Sequence, residues 1–404
     1  MNTQQLAEIL SGDIDAARAE LIDLCDRLVS ASSINPPGRT AEVADVVRDY
    51  LTANDVAWET VTTGDEAPNL VGTVEGAGAG PHVVFNAHMD TMEASDLSAW
   101  TVPPMSLTRR AGRLYGLGMG NMKGALAAMC LATVVLQRHR RNLNGRLSLT
   151  AVSDEVMFGD RGTVHLLRVR PDLAGDFLIS GEGPGFMHFA VAEKGLLWLD
   201  IEARGSGGHA SAAMHGQTAV MKLAALLARL DPLNARIAVL PDDLPGVTGG
   251  EGNLGLRLSL NAGTIAAGTV RSQIATHART QLDIRLPPGI TARDCEQLVR
   301  DVCAGDDSIT VSVTKAWDAN WTALDNPLVA ELAVAVAAVR GARPPFVVRL
   351  PGSDARRWRD LGVPAVCYGP QPTLSAGVDD HAVEQDVVDC AKIYARTAVA
   401  LMNT

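Results

Sequence analysis

Apolar positions recur at helical spacing from about Asp15 to Val29, and the Ser33-Ile-Asn-Pro-Pro-Gly38 stretch, with two prolines and a glycine, stops the helix they predict. A second helix is predicted from about Ala41. Two short runs ending at turn residues, 69–74 and 81–88, are rich in β-branched and apolar side chains and read as buried strands. An Ala-, Leu- and Met-rich helix is expected over 122–137, then a strand over 146–152, a helix over 162–168 and a strand over 176–180. This alternation predicts an α/β fold, a mixed and mostly parallel sheet flanked by helices. From about Phe189 the rhythm changes to long strands at 189–204, 257–265, 278–286 and 309–315, with helices at about 217–230 and 291–303. Strand, helix, strand, strand, helix, strand is the split arrangement of a ferredoxin-like α+β module. After Trp321 the first rhythm resumes, with a helix at 327–340, strands at 346–350 and 364–368 and a last helix from about Glu384. The expected organisation is a discontinuous domain of residues 1–186 and 317–404, interrupted by an inserted domain of residues 187–316.

Length agrees, since 404 residues exceed the roughly 250 to 300 at which a single core stops growing. The formal charge of -11, with Lys and Arg dispersed, speaks against nucleic acid and against an anionic membrane surface as partners. Six cysteines, scattered without a C-x-x-C pair, read as reduced core residues rather than a disulfide framework. No basic, apolar leader opens the chain and no run of 18 apolar residues occurs, so a cytoplasmic location is expected.

Chemistry-bearing residues fall at the ends of the predicted strands. In Asn86-Ala-His88-Met-Asp90-Thr91 a histidine and an aspartate two apart share a face, so the Asp can orient an imidazole that binds a metal. Taken alone, a solvated strand end explains this pair better. Gly116-Leu-Gly-Met-Gly-Asn121-Met-Lys123-Gly is a glycine-rich turn before a helix, without the spacing of a phosphate-binding loop. Asp154-Glu155-Val156 and Ser180-Gly-Glu182 put carboxylates at two further strand ends, where acids serve as ligands, general bases or plain caps. Gly207-Gly-His209-Ala-Ser211, Pro351-Gly-Ser-Asp354-Ala-Arg356 and Asp379-Asp-His381-Ala-Val-Glu384 complete the set.

The order of these motifs resembles the zinc-dependent exopeptidase and deacylase family of carboxypeptidase G, aminoacylase, acetylornithine deacetylase and succinyl-diaminopimelate desuccinylase. The resemblance implies that His88, Glu182 and His381 are metal ligands, that Asp90 orients His88, and that Glu155 is the general base. It implies that His209, in an inserted lid and dimerisation domain, stabilises the oxyanion, and that the protein is a homodimer through that domain. Two positions depart from the pattern. Asn121 stands where the family has the Asp that bridges two zinc ions, and Val156 stands where it has a carboxylate ligand. An amide oxygen is a poor, neutral zinc ligand and an isopropyl group is none, so at most one divalent metal such as zinc is expected, or none. In the lid, Ser272-Gln-Ile-Ala275 replaces the family's Asn-x-x-Pro, and Ala213 and Thr218 replace its Pro and Asn.

Three readings follow from the resemblance and its departures. The first is a hydrolase of the amide bond of an N-acyl amino acid or small peptide-like substrate, with Arg285, Asp354 and Arg356 as candidate substrate-binding residues, although a lone Arg is more often in a structural ion pair. The second is a metal-independent enzyme for cyclisation, acyl transfer or isomerisation that uses Glu155 and His209. The third is a binding protein without catalysis. Whole-chain resemblance puts the hydrolase first.

Overall fold

Hydrophobic periodicity at the two ends of the chain builds one layered unit, seen in a computed structural model that describes residues 2–373 and 377–404. Contacts divide the chain into a first unit of Met1–Val191, Trp321–Val347 and Ser353–Thr404, and a second of Ala192–Asn320 and Val348–Gly352.

In the first unit, a mixed sheet runs in the order Ala57–Thr62, Pro68–Glu75, Asn144–Val152, Gly78–His88, Phe177–Ser180 and Ala365–Cys367, continued by Phe189–Glu193. Gly78–His88 pairs in parallel with both Asn144–Val152 and Phe177–Ser180. Its last six residues are all buried, as expected of a strand covered on both faces. The register sets His88 opposite Val152 and Asn86 opposite Ser180, so these strands end within two residues of one another. The helix Gly124–Arg138 is buried from Gly124 to Leu136, and so lies inside the unit rather than on its surface. The stretch Met119–Arg138 is long and apolar enough to cross a membrane, but it is 94% buried within the protein, as a core helix is.

Several elements differ from the sequence expectation. The helix expected over 15–29 is two helices, Thr3–Ala16 and Arg18–Ser30. The first starts early because Asn2 and Gln5 form a reciprocal capping box, with Gln5 N–H donating to Asn2 Oδ1 at 2.8 Å and Asn2 N–H to Gln5 Oε1 at 3.1 Å. Ala57–Thr62 carried no strand signal because it is an edge strand exposed at nearly every position, with no buried face to impose alternation. The strand expected over 189–204 breaks at Lys194 into Phe189–Glu193 and Gly195–Arg204. There the Lys194 N–H turns to the Arg349 carbonyl at 3.1 Å.

The second unit is a four-stranded antiparallel sheet in the order Ser259–Ala267, His277–Leu286, Gly195–Arg204, Ile309–Trp317. Numbered along the chain these strands are 2-3-1-4, the ferredoxin-like order. Leu223, Leu226 and Leu230 of the helix Ala219–Leu230, and Cys295 and Val299 of Ala292–Cys303, pack with Leu197, Leu199, Ile201, Leu282 and Ile284 into one core. All six cysteines are buried and free, as the sequence reading expected.

Candidate active site

Because three parallel strands end within two residues of one another, the residues at and just beyond their ends meet. His88 is the last residue of its strand, Glu155 lies three residues past Val152, and Glu182 two past Ser180. All three are buried, and one ligand atom from each lies within 4.8 Å of the other two. His88 Nε2 stands 3.3 Å from Glu182 Oε1 and 3.8 Å from Glu155 Oε2. Among the described residues this is the one group of three or more His, Cys, Asp or Glu side chains so arranged.

Asp90 acts differently from the sequence expectation. His88 Nδ1 donates to the main-chain carbonyl of Asp90 at 2.8 Å, while the Asp90 carboxylate is 3.6 Å away. The imidazole is thus oriented by the Asp90 backbone. The carboxylate instead accepts the N–H groups of Glu155 at 3.2 Å and Val156 at 3.1 Å, and so fixes the turn that carries Glu155.

Electrostatics in this pocket are unbalanced toward negative charge. Burial holds the Glu155 carboxyl well above the usual range, reinforced by Glu182, Asp354 and Asp90 and opposed by His88. Burial would lower the His88 pKa, but the Glu182 carboxylate, with Glu155 and Asp90 behind it, raises it to about 10. Burial also raises Asp354 to about 6 against a hydrogen bond from Thr163 Oγ1, at 2.7 Å from Asp354 Oδ2.

Two polar atoms test whether a metal fits. His88 Nε2 has only the two glutamate carboxylates before it, and Asn121 Oδ1 is buried without a hydrogen-bond partner, where an unsatisfied buried acceptor costs about 1–3 kcal/mol. A cation beside His88, Glu155 and Glu182 would satisfy the imidazole nitrogen and offset the carboxylate charge. The 3.3 Å and 3.8 Å from His88 Nε2 to the Glu182 and Glu155 oxygens are within the ~4.0–4.4 Å that two ligands of one zinc ion can be apart. The donor set therefore fits a divalent ion.

The remaining candidates are placed as follows. His381 is half-buried at the start of the short strand His381–Val383, with Nδ1 donating to the Asp379 carbonyl at 2.9 Å and its ring 5.0 Å from that of Tyr115. It is outside the group of three. His209 is exposed in the second unit and shares a 2.8 Å hydrogen bond with Ser211 Oγ. Arg285 pairs with Asp283 at 2.7 Å, and Arg356 with Asp360 at 3.1 Å, so each guanidinium has an acid on its own strand or helix. Asp354 lies near enough to help raise the Glu155 pKa, and His88 acts to lower that of Asp354.

The sequence matches the description of peptidase family M20/M25/M40 over residues 84–400. The chain belongs to this family. It is 32% identical over 186 residues, 44% of the chain and 43% of the relative, to a probable succinyl-diaminopimelate desuccinylase of Staphylococcus epidermidis. It is 28% identical over 241 residues, 57% of the chain and 52% of the relative, to a probable carboxypeptidase of Paracoccidioides brasiliensis. The chain thus spans about half the length of the curated relatives it matches. Its fold is similar to that of human carnosine dipeptidase 1, with a TM-score of 0.76 at 15% identity over 98% of this chain and 99% of that one. An M20 metallo-carboxypeptidase of Sulfolobus solfataricus gives a TM-score of 0.72 at 17% identity over 95% and 98%.

Within this M20-type pocket, several residues that sequence reasoning passed over hold the site together. Asp380 accepts the N–H groups of Gly118 at 2.8 Å and Gly120 at 3.2 Å, clamping the glycine-rich turn before Asn121. The buried Lys123 donates to the Ala31 carbonyl at 3.0 Å. Asn35 and Arg161 flank Asp154. Spacing in the sequence gave no signal for the contacts of Asp380, Lys123 and Asn35, because each joins segments far apart in the chain.

Proposed function

We propose that this M20-family chain hydrolyses the amide bond of an N-acyl amino acid or small peptide, using no more than one divalent metal ion. The observation that carries the reading is the buried group of His88, Glu155 and Glu182, with His88 Nε2 facing both carboxylates; Asn121 Oδ1 is also buried without a hydrogen-bond partner. His88 Nε2, a Glu182 oxygen and Asn121 Oδ1 would hold the ion. When bound, it supplies Lewis-acid polarisation of the substrate carbonyl and lowers the pKa of a water toward ~7. Glu155 accepts the proton of the attacking water and returns it to the amine that leaves. Burial and the neighbouring carboxylates raise the Glu155 pKa, the direction that favours holding the proton until the amine leaves. His88 is held by the Asp90 carbonyl with its free nitrogen toward the two glutamates. His209 is assigned to the oxyanion, a role that rests on the family resemblance.

The test is a panel of N-succinyl, N-acetyl and dipeptide substrates, with the metal content of the purified protein measured alongside. Hydrolysis of at least one class is expected, with one ion or fewer per chain. Glu155→Gln should lower turnover by about 10²- to 10⁴-fold while the fold is kept. Full activity of that variant would remove Glu155 from the mechanism, and two tightly held ions would overturn the metal count.

A further inference from the structure

The turn that carries Glu155 is held by a chain of hydrogen bonds that begins in the N-terminal segment. Asn35 Nδ2 donates to Asp90 Oδ2 at 2.8 Å and to Asp154 Oδ1 at 3.2 Å. Asp90 in turn accepts the main-chain N–H groups of Glu155 and Val156. Asp154 is bound from the other side by Arg161, through Nε at 3.2 Å and Nη2 at 3.1 Å. Asn35, Asp90 and Asp154 are buried, so the two carboxylates have little water to screen them.

Nothing in this arrangement is loose. The Asn35 N–H donates to the Thr91 carbonyl at 2.8 Å, and the Thr91 N–H to the Ser33 carbonyl at 2.9 Å, which fastens the segment alongside the continuation of the His88 strand. Gly38 turns the chain back with φ +77°, where a Cβ would run into the Arg161 guanidinium and lie 2.9 Å from Asn35 Oδ1. Asp154 is itself held at φ 64°, a left-handed backbone that a non-glycine residue keeps only when its surroundings enforce it. An amide fits here where other side chains do not. It offers two hydrogens and no charge, one for each carboxylate, whereas an acid would repel both and an aliphatic group would leave both short of a donor.

We propose that Asn35 is a positioning residue for Glu155: its side-chain amide, donating one hydrogen to Asp90 and the other to Asp154, locks the turn that presents Glu155 beside His88. The link to catalysis rests on Glu155 being the general base. The test reads the turn itself, so failure of the positioning and failure of the base assignment give different results.

The experiment is backbone amide hydrogen exchange on the full chain, resolved for Glu155 and Val156. In the unaltered protein both amides should be protected although they lie in a turn. Asn35→Leu keeps the branching and the number of heavy atoms but has no donor, and should speed their exchange by about 10- to 100-fold, the range for hydrogen bonds to charged groups, with the amides of Val83, Val84 and Phe85 unchanged. Asn35→Asp keeps the shape and adds a third carboxylate, and should speed it further. On a substrate hydrolysed in the panel above, both variants should lower kcat with KM unchanged. Exchange in Asn35→Leu equal to that of the parent would show that packing alone holds the turn and would overturn the proposal. The unaltered protein decides even if a variant does not fold: Glu155 and Val156 amides exchanging as fast as those of an exposed loop would overturn it as well.

Discussion

At position 121 a side-chain oxygen is buried with no donor in reach, and at position 156 an isopropyl group follows the general-base candidate directly. Neither residue brings charge, so the carboxylate among the three proposed metal-holding groups is Glu182. Adding charge back tests whether these two substitutions set the metal count. In Asn121→Asp/Val156→Glu the new carboxylates should repel when no ion is bound and raise one another's pKa. The double variant should therefore melt below the parent without metal, and rise more than the parent when zinc is added. Calorimetric stoichiometry should approach two ions per chain. If it binds no more zinc than the parent, the pocket has been rebuilt beyond these two positions and their assignment as lost ligands fails.

At the scale of elements, the strand Gly78–His88 ends at the candidate site and has a different titrating group near its other end. The His82 ring is mostly buried, with Nε2 2.9 Å from Ser148 Oγ on the neighbouring strand. Burial, with the Arg146 charge, lowers its pKa from 6.5 to about 4. A histidine whose folded pKa lies below its unfolded value binds fewer protons when folded. Its contribution is complete above pH 6.5 and is lost as the pH falls toward 4, where the folded protein must bury a charge. From that shift the effect is at most about 3 kcal/mol, reduced by the part of the ring still facing water. Urea midpoints should fall between pH 7 and 4.5, and His82→Gln should flatten that fall. An unchanged slope in the variant would assign the acid sensitivity to other groups. The parallel pairing of this strand also explains why the site is buried. Crossover connections cover both faces of such strands, and only their C-terminal ends open toward loops that can carry ligands.

At the scale of the whole molecule, the second unit leaves strand edges open. Ser259–Ala267 lies at one edge of its sheet, is mostly exposed, and contains no Lys, Arg, Asp or Glu to discourage pairing. Ile265 is 63% exposed on it. This supports assembly of two copies through the inserted domain. Sedimentation at micromolar concentration should give a dimer, and Ile265→Lys, placing a charge on the edge, should shift it toward monomer. A parent that sediments only as monomer would refute this assembly.

Much of this organisation was legible in the chain itself. The period-2 and period-3.6 patterns placed the strands that end at His88 and before Glu155 and Glu182, because burial of one or both faces imposes those periods wherever a strand or helix joins the core. The motifs located the same three residues, and the order of elements after Phe189 matched the ferredoxin-like sheet that forms. Contacts between segments far apart were not legible. Pattern marked the segment around Asn35 as the end of a helix, yet its amide lies against Asp90 and Asp154, 55 and 119 residues away. Likewise the spacing of His88 and Asp90 suggested a carboxylate on the imidazole, and the fold gave that place to the Asp90 carbonyl while the carboxylate turned to the Glu155 turn. Local sequence fixes periodicity, and so the elements and their ends. Which polar group meets which partner depends on register and loop path, and these exist only once the sheet has assembled.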